Sequence, residues 1–358
     1  MVYSEAEIRE RMSKYGTVYF PDDILDEVDD LVGIEENKAM LNDFFKTLES
    51  YEEYAEKLRS VRMTPSITCL LYGPPGTGKT SITRALAKNY EVPMCVVESD
   101  RLVSPLLGDT LKNMRNVVEL ASDIAKENKV FLLFFDELDA IASERSSANE
   151  VGEIKRGVIS FLQILDKIDY EGIPLAIFAA TNHQNQLDSA VWRRFTFHAY
   201  FGFPDFEVRK EIALKYLKRL EDASIQVEGA IYNNLNQEEK LLLKEYSRMK
   251  QKSIGELSKN AFEDKYAKQS SKRDIGLLSL TRGYTGADLQ RGVRVALFKA
   301  IQKGLLTFED LYNALQFVGG TRIHVDQQAE LSGSDPEKLK PSSAKKTSKK
   351  NNRKPLEI

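Results

Sequence analysis

The chain has 358 residues, enough for two packed units with a sizeable core. With 42% hydrophobic and 29% charged residues and a net charge of -3, it has the balance of a globular protein, which excludes fibrous and wholly disordered classes. As a whole it has no electrostatic pull toward nucleic acid or acidic partners. No apolar run approaches the roughly 20 residues of a spanning helix, so no membrane partner is expected. The N-terminus MVYSEAEIRERMSK is charged and helical, unlike a signal peptide, and the expected compartment is the cytoplasm. Cys69 and Cys95 sit in apolar runs and read as buried small hydrophobes.

Residues 1–30 form a short lead. Ser4 followed by Glu7 is a capping-box pattern for a helix to about Lys14, and the lead is expected to be a plain N-terminal extension. A second helical stretch spans about Glu35 to Leu58, with Leu41, Phe44, Phe45 and Leu48 on one side. From Ile67 short apolar runs alternate with helical segments: Ile67–Tyr72, Met94–Val97, Val130–Phe135, Pro174–Ala180 and about Phe197–Phe201. Such strands imply a doubly wound parallel α/β sheet of five strands, covered on both faces, with sites at the carboxyl ends. The large unit is expected over 31–204. After Pro204 the strand signal stops, and 205–320 reads as a small α-helical lid. Within it 222–275 is polar and charged, read as an insertion that either docks a partner or is silent. The tail, 321–358, is basic: residues 338–354 carry eight Lys or Arg and no acid, the composition of a disordered segment.

Gly73-Pro74-Pro75-Gly76-Thr77-Gly78-Lys79-Thr80 fits the P-loop pattern completely, between a strand and a helical stretch opening at Ser81. Glycines there turn backbone N–H groups toward phosphate oxygens, with the helix N-terminus behind. Pro75, Gly76, Thr77, Gly78, Lys79, Thr80 and Ser81 are therefore assigned to ATP. Lys79 reaches the β- and γ-phosphates, and the Thr80 hydroxyl ligates Mg2+. The strand Phe131–Phe135 ends in Asp136 and Glu137; two acids after five apolar residues are costly unless paired or bound to metal. Asp136 is assigned to magnesium through its water shell. Glu137 is assigned as the base that polarises the attacking water. A third strand ends in Thr181-Asn182; Asn182 would orient that water if the two strands are neighbours. The three histidines, His183, His198 and His324, lie far apart without an HExxH pattern, and no protease chemistry is visible.

With these motifs in order, the chain resembles an AAA-family (AAA+ superfamily) P-loop ATPase, similar to the katanin and spastin group, over about 28–320. Gly73–Thr80 matches Walker A, Phe131–Glu137 matches Walker B, and Asn182 matches sensor 1. Leu187–Phe195 resembles the segment carrying the arginine fingers, here Arg193 and Arg194. Gly283–Leu289, with Gly286 and Ala287, resembles the lid motif. Asp30–Ile34, with Gly33, resembles the segment that packs on adenine. Asp139–Arg145 resembles a stretch facing a neighbouring subunit. The resemblance implies a hexameric ring that remodels or unfolds protein, with the arginines acting in trans. It also leaves room for an adaptor or a separate protease. At the place of the family's aromatic pore residue stands Leu106, followed by Leu107; these leucines either grip substrate or belong to the core. A DNA-associated motor, its basic tail contacting nucleic acid, is the alternative.

Overall fold

The computed structural model describes residues 3–102, 109–139, 162–253, 256–269 and 276–322. The lead is built into the molecule. Helix α1 (Glu5–Met12) opens on the capping box, the Ser4 hydroxyl accepting from Glu7 N while the Glu7 carboxylate accepts from Ser4 N. Ile8 and Met12, one helical turn apart, are buried at 1% and 0% exposure. Strand β1 (Gly16–Tyr19) then pairs antiparallel with β3 (Met94–Val97). The expectation of a plain extension is corrected: five buried apolar residues, Ile8, Met12, Tyr15, Val18 and Phe20, join the main core. Gly16 and Thr17 break the continuous apolar run that marked Met94–Val97, which hid β1.

The stretch read as one helix over 35–58 is two, α2 (Glu35–Glu49) and α3 (Tyr51–Ser60). Ser50 separates them with φ −110° and ψ 36°, outside helical geometry. Strands β2 (Thr68–Tyr72), β3, β4 (Phe131–Phe135), β5 (Leu175–Thr181) and β6 (Phe197–Tyr200) are mutually parallel, in the order β3-β4-β5-β2-β6. The five parallel strands are as expected; β1 adds a sixth, antiparallel strand at the edge. Between them run α4 (Lys79–Asn89), after β2, and α5 (Asp109–Asn128), after β3.

All five residues of β4 are buried, because the sheet is covered on both faces. Phe131, Leu133 and Phe135 point into one core with α1 and α5; Leu132 and Phe134 point into the other with α2, α3 and α4. Cys95 lies in the first core and Cys69 in the second, both as free thiols. Burial pushes both thiols up, Cys95 to about 12. Among the described residues no helix is long and apolar enough to cross a membrane.

The helical unit comprises α6 (Phe206–Asp222), α7 (Gly229–Lys252), α8 (Lys259–Gln269), α9 (Gly286–Lys303) and α10 (Phe308–Val318) around its own core. The described part of 222–275 is built into the unit: Ile231, Leu235, Leu242, Leu257 and Phe262 are buried in that core. Its polarity reflects long amphipathic helices whose outer faces dominate the composition. Arg209 of α6, 1% exposed, is held by Glu263 of α8 and by the carbonyls of Pro204 and Leu278. That pair ties α8 to the connection between the two units. Asn260 Nδ2 also donates to Phe203 O at 2.9 Å.

Candidate functional site

β5 lies between β2 and β4, with Tyr72 level with Thr181 and Phe135 level with Ala179. The loops leaving the carboxyl ends of these three adjacent strands therefore meet at one sheet edge. The first carries Gly73 to Gly78. Gly73, Gly76 and Gly78 have φ of 137°, 74° and 96°, values an L side chain rarely adopts. A Cβ at Gly73 would stand 2.0 Å from Phe201 O. Pro75 and Gly76 are exposed at the rim. Thr77 Oγ1 donates to Pro74 O at 2.8 Å, closing the loop on itself. Gly78 is the N-cap of α4, so the free N–H groups of Lys79, Thr80 and Ser81 open onto the loop.

Lys79 is only 6% exposed, and its Nζ donates to Gly73 O and Pro74 O, both at 2.8 Å. Burial pushes its ammonium down to about 8, opposed by the charges of Asp136 and Asp139. A buried cation held by carbonyls, beside a helix N-terminus and a ring of glycines, suits a polyanion. Thr80 Oγ1 donates to Asp136 Oδ2 at 3.1 Å. Together these two oxygens are a hard donor set fitting magnesium, which keeps most of its water shell. Glu137 is exposed and has a φ of 53°, left-handed for a non-glycine residue. Its N–H donates to Asp136 Oδ1 at 3.0 Å, which stabilises the turn. Such strain is characteristic of functional positions.

Asn182, half-buried, leaves the end of β5 beside the acidic turn, since β4 and β5 are neighbours. Sequence reasoning passed over its flanks. Thr181 Oγ1 donates to Asp139 Oδ1 at 2.6 Å and accepts from His183 N at 3.0 Å. Only the third acid of Asp136-Glu137-Leu138-Asp139 hinted at this. Arg193 and Arg194 are both exposed. Arg194 O accepts from Thr68 Oγ1 at the amino end of β2, and the loop leaves the carboxyl end, about 13 Å along the strand. Arg194 also forms a two-pronged pair with Asp166, at 2.8 and 3.0 Å. Trp192 is packing: it stacks on His198 at 4.7 Å and meets Tyr72 edge-on at 4.9 Å.

The helical unit closes on the loop. Ala287 N donates to Gly76 O at 3.3 Å, and a Cβ on Gly76 would sit 2.7 Å from Thr285 Oγ1. Gly286 lies inside the capping box of Thr285 and Asp288, and a Cβ added there would stand 3.8 Å from Gly76 O. Gly33, at φ 77°, lies under Val208 of α6 with no room for a Cβ. Leu31 approaches Gly78. Leu106, Leu107, the residues from Ala140 to Arg145 and the tail from 323 onward lie outside the described residues; the first two residues of the expected tail are held, Thr321 Oγ1 donating to Asp288 Oδ1 at 2.9 Å and Arg322 pairing with Asp264.

Residues 69–203 match the family model of the "ATPase family associated with various cellular activities (AAA)". Over this stretch the chain resembles an AAA domain. It adopts the P-loop fold with a mainly parallel sheet. The chain is 34% identical over 167 residues to proteasome-activating nucleotidase 1 of Haloferax volcanii, covering 46% of this chain and 39% of that one. It is 30% identical over 211 residues to cell division protein C of Sulfolobus acidocaldarius, covering 56% of each. Among seven of the most similar curated relatives, the matched region spans between 20% and 56% of their length. A solved structure of the FIGL-1 AAA domain with ADP superposes with a TM-score of 0.59 at 21% identity, covering 93% of this chain and 98% of that one. That likeness extends the shared fold beyond the AAA domain into the helical unit.

Proposed function

We propose that this chain hydrolyses ATP with magnesium and acts as a ring-forming motor on protein substrates. One observation carries the catalytic half: Lys79, the Thr80–Asp136 pair and Glu137 meet at the carboxyl edge of three adjacent strands. In this reading Lys79 and the amides of α4 bind the phosphates, where an anion restores the charge that burial disfavours. Thr80 and Asp136 hold magnesium, which when bound neutralises charge on the phosphate oxygens. Glu137 takes the proton of the attacking water, and Asn182 orients that water. Gly33, Gly286 and Ala287 close the nucleotide pocket from the side of the helical unit.

The ring is inferred from the arginines. Arg194 starts from the far end of β2 and cannot serve the phosphates of its own loop, so a neighbouring subunit is its natural recipient. Action on protein is proposed from relatives such as the proteasome-activating nucleotidase. An adaptor or separate protease remains part of this proposal, as does a cytoplasmic setting. Steady-state ATP hydrolysis tests the reading. The wild-type chain should turn over ATP, and Glu137→Gln should retain ATP, lose turnover and accumulate as a ring by light scattering. Normal hydrolysis by Glu137→Gln refutes the assigned base.

A further inference from the structure

The three loops at this edge are joined through a single buried residue, two by its hydroxyl and one by its main-chain oxygen. Thr181, fully buried, is the last residue of β5. Its Oγ1 donates to Asp139, two residues beyond Glu137, and accepts from the amide of His183, the residue after Asn182. Its main-chain oxygen accepts from Gly73 N at 3.3 Å, at the root of the phosphate loop. The polarity of this relay is forced. An amide can only donate, an ionised carboxylate can only accept, and the hydroxyl between them does one of each.

We propose that Thr181 and Asp139 are positioning residues for ATP hydrolysis, fixing the spacing between the Asn182 turn and the Glu137 turn. The inference rests on the ATPase reading above and names the groups that align its base and its polar partner. Neither residue is assigned a contact with the phosphates; Thr181 acts through the His183 amide and Asp139 through the turn that bears Glu137. The acidic turn most needs such support, because Glu137 holds a left-handed backbone that a non-glycine residue resists. Asp139 also lies close enough to raise the proton affinity of Lys79, so the relay borders the phosphate-binding end of the site.

Thr181→Val keeps the β-branched shape and removes both hydrogen bonds. Loss of alignment without loss of the phosphate cradle should lower kcat about 10- to 100-fold, leaving KM and directly measured ATP affinity within about twofold. Thr181→Ser, which restores the hydroxyl, should recover kcat to within about threefold. Asp139→Ala should match Thr181→Val, and the double variant should be no slower than either single one, because all remove the same link. A wild-type rate in Thr181→Val overturns the proposal. So do a parallel loss of ATP affinity, failure of the Ser variant to recover, or multiplying effects in the double variant. If Thr181→Val does not fold, Asp139→Ala decides by the same kcat criterion. A wild-type chain that hydrolyses no ATP overturns the ATPase reading and this inference together; an active wild type with an unaffected Val variant overturns this inference alone.

Discussion

At the scale of single residues, two titrating groups, one in the site and one away from it, make the local electrostatics measurable. Lys79 is a cation whose folded pKa is lowered to about 8 by burial. Above that value the free protein loses the proton that phosphate binding requires. Nucleotide affinity should therefore hold between pH 7 and 8 and weaken as pH rises further, by up to about tenfold per unit. Calorimetric titration with ATP from pH 7 to 9.5 checks this, and a flat affinity would refute it. Asp169 works in the opposite sense. Burial raises its carboxyl to about 6, above its ordinary value of 3.8. The folded state binds the extra proton between those values, so this residue's contribution to stability is present at low pH and is lost as pH rises through about 6. Asp169→Asn should raise Tm at pH 7 and change it little at pH 4. An equal shift at both pH values would show that charge is not the cause.

At the scale of elements, the glycine loop and the lead both depend on contacts that leave no room for change. A side chain on Gly76 meets Thr285 and Ala287 and requires a left-handed backbone. Gly76→Ala should weaken ATP binding at least about tenfold by separating the phosphate loop from the helical unit, a cost of about 1.4 kcal/mol. Unchanged affinity would show that the contact is incidental. In the lead, Met12 is fully buried against the sheet core. Met12→Ala should cost about 2–5 kcal/mol in urea unfolding. A lead that merely extended the chain would give a value near zero.

At the scale of the whole molecule, the proposed catalysis is divided between subunits. Arg194→Ala lacks the arginine supplied to a neighbour, and Glu137→Gln lacks the base in its own site. Each should be inactive alone. Mixed, they should regain part of the wild-type rate, because a Glu137→Gln subunit still donates Arg194 to a neighbour whose base is intact. Failure of mixtures to recover any turnover, or a fully active monomer, would exclude sharing in trans. The Asp166–Arg194 pair does not argue against it. Both side chains are about half exposed, 45% and 50%, and such pairs contribute at most about 1 kcal/mol.

The motif residues were legible in the chain because their chemistry is local. Gly73 to Thr80 needs only particular backbone angles next to a helix start, and Asp136-Glu137 needs only a buried strand before it. Strand type and the parallel sheet were legible for the same reason, since nearly continuous apolar runs separated by helices admit few other folds. What a linear reading could not supply were contacts between distant segments. Strand β1 pairs with β3 almost 80 residues later, as its register shows. Helix α8 looks polar in sequence yet buries Phe262. Thr181 and Asp139 meet through the alignment of β4 and β5, 42 residues apart in the chain. Pairings of that kind follow from how the sheet is ordered and closed, and no periodicity or composition within either partner encodes them.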